Sequence, residues 1–279
     1  VNSHPIFVPS KGRASNVLTA KMFARDGVPF SLVVEPAQVD AYAAAGWGDK
    51  LLVLPENDRG LVFARNWIKD YSIAQGHERH WQFDDDVRRT RRLFRGRRVA
   101  CNSGAALKAC EEFVERYENV KLASLNSSFF IVSSRGVAYQ HWPPFYVNSR
   151  CYTCFLMSND LPLRWRGRYN EDADMTLQVI AAGWCTILFN AFLIETPRTM
   201  TDDGGQTSIY VGDGRLRMAR ELERRWPIVV ETRRRYGRPQ HVVKDSWRKF
   251  DTPLRLRPGV DLTSMPDVDE MGMKPVAID

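Results

Sequence analysis

Three short apolar runs alternate with stretches of helical spacing in the first third of the chain, and a fourth run closes the series. His4–Pro9, Phe30–Val34 and Leu51–Leu54 are the first three, and His80–Phe83 is the fourth. The segments between them predict helices over 16–25, 37–45 and 61–74, stopped by Gly27, Gly46 and Gly76, with Ser15 as the cap of the first. Strand and helix in strict alternation demand an open α/β sheet with helices on its faces. Such a sheet binds its ligands along the carboxyl ends of its strands. The loop Pro9-Ser-Lys11-Gly-Arg13 and the triplet Asp84-Asp85-Asp86 both fall at that edge.

The second half is mixed. Helices are expected over 105–117, 172–182, 215–225 and 229–236, and strands over 120–125, 129–132, 152–157 and 185–194. Residues 1–257 read as one domain, with a first half of about 1–100 and a second of about 101–257. Residues 258–279 are acidic and without periodicity, as a loosely attached tail would be. No apolar run approaches the roughly 18 residues of a membrane span, and no charged-then-apolar signal opens the chain. Five cysteines without such a signal fit reduced thiols in a cytoplasm. Cys151 and Cys154 form a lone pair, read as small buried side chains rather than metal ligands.

Charge narrows the choice of partner. Lys and Arg number 40 against 33 Asp and Glu, a formal net charge of +7. The excess is clustered in Arg88–Arg98, with seven arginines in eleven residues, and in Arg215–Arg238. Such runs are solvated faces or polyanion surfaces, since the planar guanidinium fork suits phosphate.

Four further features carry chemistry. Adjacent aspartates repel, whereas Mg²⁺ or Mn²⁺ favours hard carboxylate oxygens, so Asp84–Asp86 suits a divalent cation. Gly12 permits close backbone approach in the first loop, which is not a Walker sequence. Arg65 and Asn66 interrupt an apolar helix face, and a buried Arg65 needs a partner, for which Asp84 is placed. Glu171, Asp172 and Asp174 exceed what capping a helix at Asp172 requires, and a carboxylate there suits general-base work. His241 follows the second arginine region.

Taken in order, these clusters resemble a GT-A glycosyltransferase. The matching residues are Lys11 and Arg13 in the first loop, Asp84–Asp86 as the DxD motif, Glu171-Asp172 and His241. The helix carrying Ala64-Arg65-Asn66 is similar to one in family-2 members. Arg168-Tyr-Asn-Glu-Asp-Ala-Asp174, Gly204-Gly205-Gln-Thr-Ser-Ile-Tyr210 and Arg238-Pro-Gln-His241-Val-Val resemble the phage TET-associated glycosyltransferases. The resemblance implies a GT-A, Rossmann-like nucleotide-sugar-binding fold with a mixed, mostly parallel central sheet. It implies transfer from a UDP-sugar (UDP-glucose or UDP-N-acetylglucosamine) to the hydroxymethyl group of a pyrimidine in DNA, 5-hydroxymethylcytosine first, in a phage-infected bacterial cytoplasm.

On that resemblance Pro9, Lys11, Arg13, Arg65, Asn66, Asp84, Asp85, Gly204 and Gly205 contact the nucleotide sugar. Asp86, with Asp84 and His241, holds Mn²⁺ or Mg²⁺, and Asp172, beside Glu171, removes the acceptor proton. Arg88, Arg89, Arg91, Arg92, Arg150, Arg166 and Arg168 are the candidate DNA contacts. A GT-A enzyme with a polysaccharide or glycolipid acceptor, a metal-dependent nuclease, and a non-catalytic DNA-binding module are the alternatives.

Overall fold

A computed structural model describes residues 3–94, 97–131, 142–197 and 213–262. The chain opens with β1 (Ile6–Pro9), α1 (Leu18–Arg25) and β2 (Ser31–Val34), followed by the short α2 (Val39–Tyr42) and β3 (Leu51–Val53). Next come α3 (Leu61–Ala74), β4 (Arg79–Phe83), β5 (Arg89–Phe94), β6 (Arg97–Cys101) and α4 (Ser103–Val114). The second half adds β7 (Val120–Ser127), β8 (Phe145–Val147), β9 (Cys154–Ser158), α5 (Glu171–Ala181) and β10 (Cys185–Glu195). It closes with α6 (Gly214–Arg225) and the strands β11 (Val230–Arg235) and β12 (Arg238–Val243).

The main sheet runs β3-β2-β1-β4-β9-β7-β10-β5-β6, with β8 also on β10. It is mixed: parallel from β3 through β4 and again between β7 and β10, antiparallel where β9, β5, β6 and β8 join. From β1 the chain winds outward to β2 and β3, then returns to lay β4 on the other flank of β1. The order therefore reverses at β1, and the crevice outside the ends of β1 and β4 is where such sheets bind ligands. Both the Pro9–Arg13 loop and the aspartate triplet leave the sheet there.

Alternation along β1 separates two cores. Ile6 and Val8 join Phe23, Trp81, Phe83, Leu107 and Phe113 on the face covered by α1 and α4. Phe7 faces Ala64 and Ile68 of α3. Beyond β4 that second face is filled by Phe155, Met157 and Trp165 under Met175 and Val179 of α5. Outside α5, Leu222 of α6 and Val230 of β11 pack on Ala173, Leu177 and Ile180, which anchors the β11–β12 hairpin to the helix that starts at Glu171. The helices α3 and α5 stop as the sequence predicts: Gly76 and Gly183 adopt φ of 77° and 83°. The next amide then bonds back to Ser72 or Val179.

Several expectations are corrected. The segment expected as a helix over 229–236 is strand β11, paired with β12 from Val230↔Val243 to Arg235↔Arg238. β-Branched Val230 and Thr232 and a two-residue turn favour the ribbon over arginine's helical preference. Phe129 and Phe130 lie in an exposed turn rather than a strand, and Val132 is outside the described residues. The helical stretch expected over 37–45 is present as consecutive tight, α and wide turns, and Gly46 at φ 91° interrupts it where the sequence places its stop. Ser15 does not cap α1, which begins at Leu18 after a separate turn, and α5 is preceded by Asn170 rather than capped by Asp172. All five cysteines are buried, Cys151 and Cys154 among them as the sequence suggests.

Candidate active site

Period-two alternation on β4 places His80, Gln82 and Asp84 on one face of the strand end. These side chains form a continuous relay with Arg65 of α3. His80 Nδ1 lies 2.7 Å from Asn159 Oδ1, and Gln82 Nε2 lies 2.9 Å from His80 Nε2. A neutral imidazole with its proton on Nδ1 satisfies both partners, and burial pushes His80 down to about 3. Arg65 then donates to Gln82 Oε1 at 3.4 Å and to Asp84 Oδ1 at 2.7 Å. Arg65 is 1% exposed, its guanidinium packed against both rings of the edge-to-face pair Phe155 and Trp165. The buried arginine thus has the partner its position in the sequence required.

The three aspartates are held differently. Asp84 is fixed through its backbone, its N–H to Thr153 O at 2.8 Å and its carbonyl to Thr19 Oγ1 at 2.5 Å. Desolvation pushes its carboxyl up to about 7; Arg65 opposes this, while the charges of Asp86, Glu171 and Asp85 add to it. Asp85 accepts from Ser10 Oγ at 2.6 Å and from Arg13 at 2.5 Å, and Tyr42 OH is 2.7 Å from the same Ser10 hydroxyl. Asp86 reaches no closer than 4.0 Å to Arg13 and keeps 36% of its side chain exposed. Asp84 thus sits in a field that disfavours further negative charge, with the partly exposed Asp86 contributing to it. A divalent cation relieves that field, so Asp84 and Asp86 fit one chemically.

Across the crevice, α5 presents a second acidic cluster. Glu171 lies 3.9 Å from Arg65 Nε, and burial and the charge of Asp172 raise its pKa. Asp172 Oδ2 accepts from Arg150 Nε at 3.1 Å and from its NH2 at 2.5 Å, while Oδ1 accepts the Ala173 N–H at 2.7 Å. A carboxylate offers about four lone-pair sites, so Oδ1 retains one for an incoming hydroxyl. Arg150 also reaches His241 Nε2 at 3.4 Å. Burial and that cation push His241 down to about 4, which keeps the imidazole neutral.

The remaining predicted residues divide into those near this crevice and those spent elsewhere. Lys11 pairs with Glu35 at 2.6 Å and Asp58 at 2.5 Å, which raises its pKa through those hydrogen bonds. Asn66 clamps the Trp165 backbone with two hydrogen bonds, 2.8 and 3.0 Å. His241 is not gathered with Asp84 and Asp86: among the described residues no three His, Cys, Asp or Glu side chains converge on a metal position. Its strand places it at the hairpin root, against Arg150. Gly204 and Gly205 lie outside the described residues.

The arginine run is not one surface. It folds into β5 and β6, where Arg92 is 2% exposed with its guanidinium over Phe94 and Phe192. Arg92 is therefore corrected from a DNA contact to a core residue. Arg91 pairs with Glu195 at 2.9 Å, and Arg166 forks onto Asp174 at 2.8 and 3.2 Å. Arg88, Arg89 and Arg168 remain exposed.

Sequence reasoning missed the backbone. Outside glycine, positive φ occurs among the described residues at Asp58, Asn148, Thr153, Asn170 and Tyr236. Asp58 holds Lys11, Asn148 precedes Arg150, Thr153 receives the Asp84 N–H, and Asn170 precedes Glu171. For β-branched Thr153, at φ 64°, the conformation costs on the order of 1–3 kcal/mol. Thr153, which receives the Asp84 N–H, is the strained position at the crevice, its backbone held against local preference. Asn two residues before Arg150 and immediately before Glu171 was the available signal, because Asn tolerates that region.

Among solved structures the likeness is distant. A mannose-1-phosphate geranyltransferase from Thermus thermophilus is 15% identical with a TM-score of 0.32, over 71% of this chain and 58% of that one. A putative nucleotide-diphospho-sugar transferase from Desulfovibrio desulfuricans G20 is 11% identical with a TM-score of 0.38, over 81% and 99%. The glycosyltransferase GlyE of Streptococcus pneumoniae TIGR4 is 12% identical with a TM-score of 0.31, over 75% and 42%. The chain thus spans only 58% of the first of these proteins and 42% of the third. No curated protein matches it. Assignment rests instead on the family model described as TET-Associated Glycosyltransferase, which matches residues 4–205 and so takes in the whole crevice from Pro9 to Asp174. The chain belongs to the TET-associated glycosyltransferase family, and its fold is an α/β architecture around one large mixed sheet.

Proposed function

We propose that the protein transfers a sugar from a UDP-sugar to the hydroxymethyl group of a modified pyrimidine in DNA, 5-hydroxymethylcytosine first. The observation that carries this reading is the crevice itself, with Asp84 and Asp86 facing Glu171 and Asp172 across the switch point of the sheet. The TET-associated description of its family supports a modified base as the acceptor.

The diphosphate lies over the ends of β1 and β4. Asp84 and Asp86 are the residues that would hold Mn²⁺ or Mg²⁺, which when bound neutralises the leaving diphosphate. Arg65 and the relay to His80 fix Asp84, so its orientation costs nothing at the moment of reaction. Asp172 accepts the proton of the acceptor hydroxyl on Oδ1, with Arg150 holding the opposite oxygen. The hydroxyl oxygen forms its bond to the anomeric carbon as the bond from that carbon to the diphosphate oxygen breaks. This displacement inverts the sugar. A base inside a duplex is out of reach, so the acceptor is flipped or single-stranded. Arg88, Arg89 and Arg168 face its phosphates.

The test is transfer. Protein, Mn²⁺ or Mg²⁺, UDP-glucose or UDP-N-acetylglucosamine and DNA carrying hydroxymethylcytosine or hydroxymethyluracil are incubated, and nucleoside masses are measured. A hexose or N-acetylhexosamine increment supports the reading. No increment with any pairing, alongside turnover on a polysaccharide or lipid acceptor, overturns the DNA part of it.

A further inference from the structure

The β11–β12 hairpin carries a feature that the crevice does not use. Its turn is Arg235-Tyr236-Gly237-Arg238, with φ of 51° at Tyr236 and 72° at Gly237, as a two-residue primed turn requires. Asn, Asp or Gly ordinarily takes the first of those positions. Here it is an aromatic residue, 93% exposed. Arg235 and Arg238 face one another directly across the ribbon, and Arg233 and Arg234 are exposed beside them. Like charges opposite each other destabilise a ribbon. Of these four arginines only Arg233 has an ion pair among the described residues, 2.5 Å to Glu231. A protruding aromatic tip, a left-handed tyrosine and a cross-strand arginine pair all cost the isolated protein stability. A polyanion with stackable rings would offset all three.

The ribbon is also aimed. His241, at its root, faces Arg150 and through it Asp172. From His241 to Arg238, where the turn begins, is three steps of strand, about 10 Å at the usual rise. A two-stranded ribbon of that length fits a DNA groove.

Resting on the DNA reading above, we propose that this hairpin is the arm that grips the acceptor. Arg234, Arg235 and Arg238 bind phosphates on both sides of the target, and the Tyr236 ring stacks on a base next to it.

Fluorescence anisotropy of the full chain on a labelled hydroxymethylcytosine duplex, across a salt series, tests the arm. A companion duplex carries 2-aminopurine beside the modified base. Arg234→Gln/Arg235→Gln/Arg238→Gln should flatten the slope of log affinity against log salt by roughly 2–3. Tyr236→Ala should weaken binding by about 5- to 150-fold with the slope unchanged, and lose the 2-aminopurine signal. Tyr236→Phe should restore both. UDP-sugar hydrolysis without DNA should stay at the wild-type value in all three, and no urea midpoint should fall below wild type, the arginine variant rising slightly as the cross-strand repulsion is removed. If the wild type binds and glycosylates DNA while the variants match it, the arm is wrong and the DNA reading stands. If the wild type neither binds nor modifies DNA, both fail. Equal binding of heparin and DNA, indifferent to Tyr236→Ala, also overturns the stacking arm.

Discussion

Two acidic clusters face each other across the crevice, and their hydrogen-bond partners differ sharply. Asp174, in the first turn of α5, is fully buried and accepts from Arg166 Nε and NH2, Gln178 Nε2 and Trp226 Nε1 at 2.8, 3.2, 2.8 and 2.8 Å. Its acceptor sites are filled by protein, and what it binds is the loop before α5 and the end of α6. Asp84, at the end of β4, takes one side-chain donor, from Arg65, and leaves 35% of its side chain to solvent. Asp174 is closed by the fold, whereas Asp84, and Asp172 on the same helix as Asp174, are left with acceptor sites open. A buried carboxylate with a full set of donors is structural, whereas one held by its backbone and crowded by other acids is set up for a cation or a substrate.

The largest expected effect breaks the closed cluster. Asp174→Ala strands Arg166, Gln178 and Trp226, and removing one partner of a buried pair costs about 3–5 kcal/mol. Because Arg166 is half exposed, the lower end is expected. The urea midpoint should fall with its slope unchanged, and a midpoint near wild type would mean that Asp174 does not hold the α5 loop. Asp86→Asn is the converse experiment on the open cluster. Transfer should fall by about 10²–10³-fold, the size of losing one electrostatic group aimed at the leaving charge. Its urea midpoint should stay within about 0.5 kcal/mol of wild type. Full activity in Asp86→Asn would remove the cation from the open side.

Acidification should act on the relay beneath the open cluster. His80 is neutral in the fold, and its pKa drops from the ordinary 6.5 to about 3 on burial. The unfolded chain therefore binds a proton between these values that the folded chain refuses. Stability from this group is complete above pH 6.5 and is lost as pH falls towards 3, amounting to about 2 kcal/mol at pH 5. Protonated Nε2 no longer accepts from Gln82, so the relay to Arg65 breaks at the same time. Urea unfolding of wild type and His80→Gln at pH 7 and pH 5 checks this. The variant starts less stable and should lose about 2 kcal/mol less on acidification. Equal acid loss in both proteins would place the sensitivity elsewhere.

Much of the open side was legible in the sequence, because strand-helix alternation and the position of acids after an apolar strand are local signals. Arg65 was assigned its partner from one fact, a charge on an apolar helix face. The relay was hidden in plain alternation, since His80, Gln82 and Asp84 are two apart and read as part of an apolar run. The closed side was less legible. Asp174 and Asp172 sit two positions apart in one acidic stretch, and only packing shows that one faces Trp226 and the other Arg150. Arg92 was misread for the same reason: a run of arginines looks uniformly exposed until a strand turns alternate members inward. The hairpin failed differently, because its arginines favour a helix locally and only the cross-strand partner decides for the ribbon.

The smallest effect sharpens how the closed cluster is sealed. Gly167 lies between Arg166 and Arg168 at φ 85°, and a Cβ there would overlap the guanidinium of Arg225 at the end of α6. Two costs follow from Gly167→Ala. The left-handed backbone costs an alanine about 1 kcal/mol. Arg225, being the tip of a flexible side chain, can move aside, but it then loses Glu221, a helix pair worth about 0.3–0.5 kcal/mol. The sum, about 1–1.5 kcal/mol, should appear as a lower urea midpoint. If α6 closes the cluster through this contact, Arg225→Ala should relieve the steric part, so that the double variant loses less than the two single losses combined. Strict additivity would show that α6 is held by Leu222 and Trp226 alone, and that the closed cluster owes nothing to the Gly167 contact.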